Sequence, residues 1–104
     1  MKKELEQKLY NKFPKLFVQK DLPMTQTAMC WGIDTPDEWY DIIDTACEQI
    51  QSMIDNNKHL SDKFPQIEFT QVKEKFGALC MYYYPSTDYV DGIVDMADAM
   101  VQKL

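Results

Sequence analysis

Two lysines and three tyrosines lie close together in one segment and provide the most distinctive chemistry in the chain. Residues 71–84 read QVKEKFGALCMYYY, with Lys73 and Lys75 ahead of a phenylalanine–glycine pair. An ammonium group can bind phosphate or carboxylate groups, and a tyrosine ring can stack on a planar group or anchor a protein interface. The segment therefore either closes a core or forms a binding surface, depending on how its strands pair.

Residues that commonly act in catalysis or bind metals are scarce elsewhere. His59 is the only histidine, and its neighbours predict a solvated side chain near a helix end. The chain has no CxxC or HExxH motif, and its three glycines are too dispersed to cradle phosphates. A nucleophile–histidine pair distant in sequence leaves no local signature. We predict a non-catalytic protein without a metal or cofactor.

The cysteines and the N-terminal segment indicate the compartment. Cys30, Cys47 and Cys80 are odd in number and far apart, which argues against a disulfide framework and fits a reducing environment. The N-terminal segment MKKELEQKLYNKF lacks the apolar run of a signal peptide, and no window reaches the roughly 18 apolar residues of a membrane span. We expect one soluble cytoplasmic domain over residues 1–104, with no membrane partner.

Charge is unevenly distributed along the chain. Residues 1–20 contain six lysines and two glutamates, whereas residues 21–104 contain five lysines and fifteen acidic residues, which together give the net charge of −6. All basic residues are lysines. Because the planar guanidinium of arginine is the group that clamps phosphate or guanine in a bidentate manner, direct DNA binding is not expected.

Hydrophobic periodicity predicts three helices. The first ends near Pro14. The second covers residues 36–56, with Thr35 and Glu38 forming a capping box and an apolar stripe behind them: Trp39, Ile42, Ile43, Ala46, Cys47, Ile50 and Ile54. The third follows Thr87 and places one apolar set on a single face: Tyr89, Ile93, Met96, Ala97, Met100 and Leu104.

The segment between the second and third helices predicts a hairpin. Strands at residues 67–74 and 79–84 flank Phe76 and Gly77, which form a tight turn. The fold class is α+β, in the order helix, loop, helix, strand, strand, helix, with the helices packed on one face of a small antiparallel sheet. Because two strands alone are marginally stable, a third strand from the loop or from a partner in a homodimer is expected.

A two-residue turn sets the register of the hairpin. Lys75 then faces Ala78, and the pairing continues to Phe69 opposite Tyr84. Cross-strand partners point to the same side, which separates a core face from a lysine-and-aromatic face. The core face contains Thr70, Val72, Leu79, Met81 and Tyr83, and the other face contains Phe69, Gln71, Lys73, Lys75, Cys80, Tyr82 and Tyr84.

Three further features are candidates for binding. Two acidic stripes follow helical spacing, one at Asp37, Asp41, Asp44 and Glu48 and the other at Asp88, Asp91, Asp95 and Asp98. Each stripe is either a solvated face or a surface for a basic partner. Trp31, beside Gly32 in an irregular segment, either covers a small core or contacts a ligand or a partner protein.

Four motifs together resemble a family of small, largely uncharacterised proteins of tailed bacteriophages. They are MCWGID, WYDIID-x-x-C at residues 39–47, QVKEKFG with its tyrosine-rich strand, and DMADAM, so that the resemblance covers roughly residues 24–100. Family members commonly have arginine where this chain has Cys80, and many carry a C-terminal cysteine pair that is absent here, so no zinc is implied. The resemblance implies a role in host takeover or counter-defence.

These observations lead to one principal hypothesis and two alternatives. The principal hypothesis is a non-catalytic phage protein that binds and inhibits a host defence component through Trp31, Lys73, Lys75, Tyr82 and Tyr84. The first alternative is a sequestrant of a nucleotide signalling molecule, in which lysines hold phosphates and an aromatic ring stacks on the base. The second is an acidic decoy for a nucleic-acid-binding protein, which would depend on Asp91, Asp95 and Asp98.

Overall fold

A three-stranded mixed sheet forms the centre of the computed structural model, which describes residues 1–104. Its strands are β1 (Ile33–Asp34), β2 (Glu68–Lys75) and β3 (Ala78–Tyr84), in the order β1-β2-β3. β2 and β3 form the predicted antiparallel hairpin. The expected third strand comes from the loop, and it runs parallel to β2 because α2 connects the two strands. The sheet is therefore mixed and not purely antiparallel.

Three helices accompany the sheet and complete an α+β fold. They are α1 (Lys3–Lys12), α2 (Tyr40–Asp55) and α3 (Asp88–Val101). α3 packs against both α2 and β3. Short 3₁₀ turns occupy the connections, at Val18–Asp21, Met29–Trp31, Asp37–Trp39 and Lys58–Leu60.

The apolar stripe predicted for the second helix is confirmed. Every one of its seven side chains is buried, and all belong to one core cluster of 21 residues that also includes side chains of α1, α3 and the sheet. A helix of this kind is stabilised mainly by burial of its apolar face, which is why spacing alone located it correctly.

The capping box predicted at the start of this helix is wrong. A 3₁₀ turn at Asp37–Trp39 precedes α2, and no side chain caps either element. Thr35 is buried, and its hydroxyl has no hydrogen-bond partner. The carboxylate of Asp37 accepts a hydrogen bond from the backbone N–H of Lys2 at 2.7 Å, so it connects this turn to the start of α1 and does not cap α2.

The N-terminal segment holds β1 in place. The terminal ammonium of Met1 donates to the carbonyl of Ile33 at 3.2 Å, and a carboxylate oxygen of Glu6 accepts from the N–H of Ile33 at 2.9 Å. Further along, the ring of Phe17 lies 5.2 Å from that of Phe69 on β2. These contacts connect the first residues of the chain to both β1 and β2.

Candidate functional site

The outer side of the β2–β3 hairpin presents the lysines and tyrosines that the sequence singled out. From Lys75–Ala78 to Gln71–Tyr82 the pairing follows the predicted register. The core face is buried at Val72, Leu79 and Met81, so the opposite side carries the set that we call the hairpin surface: Lys73, Lys75, Tyr82 and Tyr84. Tyr82 is 46% exposed and Tyr84 is 67% exposed.

Neither lysine of the hairpin surface has an intramolecular partner. The ion pairs of the molecule involve other lysines, namely Lys2, Lys12 and Lys20. Lys75 is exposed and Lys73 is half-buried. An ammonium group that forms no ion pair in its own chain remains free to bind a carboxylate or phosphate of a partner.

A β-bulge at Thr70 changes the end of the hairpin surface. Beyond Gln71 the register shifts, so that Phe69 pairs with Tyr83 and Glu68 with Tyr84. The predicted pairs of Thr70 with Tyr83 and of Phe69 with Tyr84 are therefore wrong. The extra residue of a bulge reverses which side the next side chain faces, and it turns Phe69 into the core, where it is fully buried.

A loop preceding β1 contacts the bulge. The hydroxyl of Thr27 donates to the carbonyl of Thr70 at 3.2 Å and accepts from the N–H of Met29 at 3.1 Å. The N–H of Phe69 donates to the carbonyl of Leu16 at 2.8 Å. Partners from two distant segments thus satisfy backbone groups around the bulge, which explains why the hairpin sequence alone does not reveal it.

Trp31 is exposed and precedes a glycine with a positive φ. The indole is 69% exposed, whereas Met29, two residues earlier, is fully buried. Gly32 has φ of +79°, and a Cβ at this position would lie 2.5 Å from a carboxylate oxygen of Glu6. The positive φ favours glycine at this position, and the carboxylate of Glu6, which ends a flexible side chain, would have to move to admit a Cβ.

Trp31 and the hairpin surface lie at two separate concavities. Lys73 and Tyr82 line one of about 430 Å³ together with Thr27, while Trp31 lines one of about 390 Å³ together with Tyr10. No cavity contains both Trp31 and Lys73. The structure therefore places Lys73 and Tyr82 at one concavity and Trp31 at another.

Phe76 is an exposed aromatic residue that the sequence interpretation treated only as part of a turn. The predicted two-residue turn is present, with φ of +52° at Phe76 and +83° at Gly77. The ring is 96% exposed. Asparagine and glycine are the residues that tolerate positive φ in such a turn. A phenylalanine at the first turn position is therefore unusual, and this could have identified Phe76 as a candidate binding residue from the sequence.

The acidic stripe of α3 is divided between structural and free carboxylates. Asp98 accepts a hydrogen bond from the backbone N–H of Leu79 at 2.9 Å, and Asp91 accepts one from the hydroxyl of Tyr83. Burial, and then the bond to Asp91, raise the pKa of that tyrosine. Asp88 and Asp95 are exposed and have no such partner. The stripe is not one continuous solvated face.

The other residues considered for chemistry do not converge. Cys47 is buried, and burial raises the pKa of its thiol. Cys80 is half-buried on the sheet opposite Lys73, and Cys30 lies in the loop before β1. His59 is exposed in a 3₁₀ turn after α2. No group of three histidine, cysteine or acidic side chains is arranged to hold a metal ion.

Comparison with known proteins gives no further assignment. No protein-family model matches the chain, and neither a curated protein nor a solved structure matches it. None of the helices is both long enough and apolar enough to cross a membrane.

Proposed function

We propose that this protein is a non-catalytic bacteriophage protein that binds a host protein in the bacterial cytoplasm and inhibits it, with an anti-phage defence component as the target. The observation that carries the proposal is the uncovered outer side of the β2–β3 hairpin. Its lysines have no ion pairs, and its tyrosines Tyr82 and Tyr84 are exposed. The resemblance to phage proteins supplies the biological setting.

The exposed aromatic residues support a protein interface. Tryptophan and tyrosine are enriched among the residues that dominate binding energy in such interfaces. Phe76 adds a third aromatic type at the tip of the hairpin, in a conformation that costs a residue other than glycine roughly 1 kcal/mol or more. A ring that is almost fully exposed and is held at such a cost favours a role in binding.

The placement of Trp31 and Lys73 at different concavities favours a large partner where both residues take part in binding. A nucleotide held by Lys73 could not also stack on Trp31 within one cavity, whereas a protein can contact both concavities at once. Thr27, which lines the concavity of Lys73 and Tyr82, connects its loop to β2 through a hydrogen bond to the carbonyl of Thr70.

A plating experiment tests the proposal. The protein is expressed in host strains that each carry one defence system, and phage plating is compared with strains that lack the protein. We expect plating to be restored in at least one strain and to be lost again with Lys73→Glu combined with Tyr82→Ser. Restoration in no strain, or full activity of this double variant, contradicts the proposal.

The matched control is Lys63→Glu. Lys63 is exposed, forms no ion pair and lies in the turn after α2, so its substitution makes the same charge change away from the hairpin surface. It is expected to restore plating as the wild type does. Equal melting temperatures of both variants and the wild type exclude unfolding as the cause of any loss.

The concavity beside Lys73 supports a second candidate, a sequestrant of a nucleotide. Tyr82 and Lys73 lie in the same concavity, where one can stack on a base and the other can hold a phosphate. Incubation with cyclic and ADP-ribose-type nucleotides is expected to raise the melting temperature by several degrees, and Tyr82→Ser is expected to remove the shift. The absence of a shift with every nucleotide rejects this candidate.

A further inference from the structure

An apolar groove runs between α2 and α3, and the sequence did not indicate it. Its volume is about 310 Å³, and Ile42 and Ala97 are buried at its floor. Met96 and Met100 stand on its α3 side, 64% and 46% exposed. The sequence placed these methionines on one apolar face of α3 with Ala97, whereas the buried residues of the helix are Val90, Ala97 and Val101. The groove therefore has a flexible apolar wall that no part of the chain covers.

Charge on the two helices has a single sign. α2 and α3 contain no lysine, and each contains four acidic residues. Four of these acids already have partners, since Asp44 pairs with Lys12, Asp55 accepts from the side chain of Gln51, Asp91 accepts from Tyr83 and Asp98 accepts from Leu79.

Four free carboxylates border the groove. Asp41 and Glu48 lie four residues before and three residues after Thr45, a groove residue of α2. Asp88 and Asp95 stand in the same relation to Gly92, a groove residue of α3. Residues at these spacings are neighbours on a helix surface, so both edges of the apolar groove carry exposed acids.

We propose that this groove binds an α-helical segment of a partner protein that is apolar on one face and rich in lysine or arginine on its flanks. The apolar face of such a helix would cover Met96 and Met100, whose unbranched side chains adapt to irregular shapes. Its cationic flanks would meet the free carboxylates on both edges. This is the helix-in-groove mode of recognition, and it uses a side of the molecule separate from the hairpin surface.

Charge argues against the other occupants of the groove. A second copy of this chain, docked symmetrically through the same face, would place the acidic edges of both copies against each other. Nucleic acid and anionic lipid surfaces are repelled by the same carboxylates. A cationic amphipathic helix is the occupant that satisfies both the apolar wall and the charged edges.

The test uses a defined peptide and the full-length protein. The probe is a fluorescent leucine–lysine peptide of about 14 residues, with leucines at helical spacing, because α3 has a comparable length of about 21 Å. Its binding is measured by fluorescence anisotropy beside two control peptides. One has the same composition in scrambled order, and the other has glutamate in place of lysine.

We expect saturable binding of the amphipathic cationic peptide and at least about tenfold weaker binding of either control peptide. Met96→Gln combined with Met100→Gln, and separately Asp88→Asn combined with Asp95→Asn, should each weaken binding. The hairpin variant with Lys73→Glu and Tyr82→Ser should bind as the wild type does. The glutamine variant retains long side chains that favour helix, so it should keep the wild-type melting temperature.

Four results would overturn the proposal. The first is no saturable binding, and the second is equal binding of the scrambled peptide, which would indicate charge attraction without recognition of the groove. The third is unchanged binding by the methionine variant. The fourth is a dimer in sedimentation that the methionine variant dissociates, because a second copy would then be the occupant.

Discussion

Replacing Asp98 by alanine tests directly whether the acidic stripe of α3 is partly structural. One carboxylate oxygen of Asp98 accepts hydrogen bonds from the N–H of Leu79 at 2.9 Å and from the side chain of Gln102 at 3.1 Å. Leu79 is buried, so its N–H would lose a charged acceptor in a poorly hydrated position. A hydrogen bond to a charged group contributes about 1.5–3 kcal/mol, and we expect a loss of about 2 kcal/mol.

The control for this substitution is Asp95→Ala on the same helix. Asp95 is exposed and has no hydrogen-bond partner, so its replacement changes the helix propensity in the same direction without removing a contact. The difference between the two variants therefore isolates the hydrogen bonds of Asp98 to Leu79 and Gln102. Asp98→Asn, which keeps an acceptor oxygen but removes the charge, should fall between them.

Thermal unfolding followed by circular dichroism measures the effect. With an unfolding entropy of about 2.1 cal/mol/K per residue, 104 residues give roughly 0.22 kcal/mol/K, so 2 kcal/mol corresponds to about 9 °C. Asp98→Ala is expected to melt about 9 °C below Asp95→Ala. Equal melting temperatures would refute the structural role of Asp98. Its carboxylate would then be only a solvated group, as that of Asp95 is.

Further predictions concern side chains whose environment is unusual, and each is checked by one measurement. The hydroxyl of Tyr89 is buried without a partner, so Tyr89→Phe should leave the melting temperature unchanged or raise it, whereas Tyr83→Phe should lower it. Phe76→Asn should stabilise the protein by about 1 kcal/mol in denaturant titration, because asparagine tolerates positive φ; a loss of stability would contradict this. Burial, with smaller effects of neighbouring carboxylates, raises the pKa of Tyr10 to about 12, above its value of roughly 10 in the unfolded chain. Its contribution to stability is complete below pH 10 and is lost as pH rises towards 12, so Tyr10→Phe should weaken the alkaline decline seen in thermal melts; an unchanged decline would refute this. Cys47 should resist iodoacetamide in the native state while the two half-buried cysteines react. Mass spectrometry of the labelled protein checks this, and labelling of Cys47 in the native state would contradict it.

Local patterns in the sequence were sufficient for the second helix and for the turn end of the hairpin. The stripe from Trp39 to Ile54 is apolar at helical spacing and is buried throughout, because burial of such a face is what stabilises a helix in a folded domain. The pair Phe76–Gly77 set the pairing of the adjacent residues, since a two-residue turn permits only one register. The hairpin surface at Lys73, Lys75 and Tyr82 follows from that register alone.

Contacts distant in sequence decided the remainder. Thr70 forms a bulge where Thr27 supplies a hydrogen bond, and the bulge moves Phe69 from the predicted surface into the core. Glu6 stabilises β1 by accepting a hydrogen bond from the N–H of Ile33. A strand of only two residues has no sequence pattern long enough to predict it. In α3, the position of the helix against β3 and α2 determined which apolar residues were buried and which of its acids became structural. Periodicity defines the faces of a helix, but only the packing of neighbouring elements determines which face is covered.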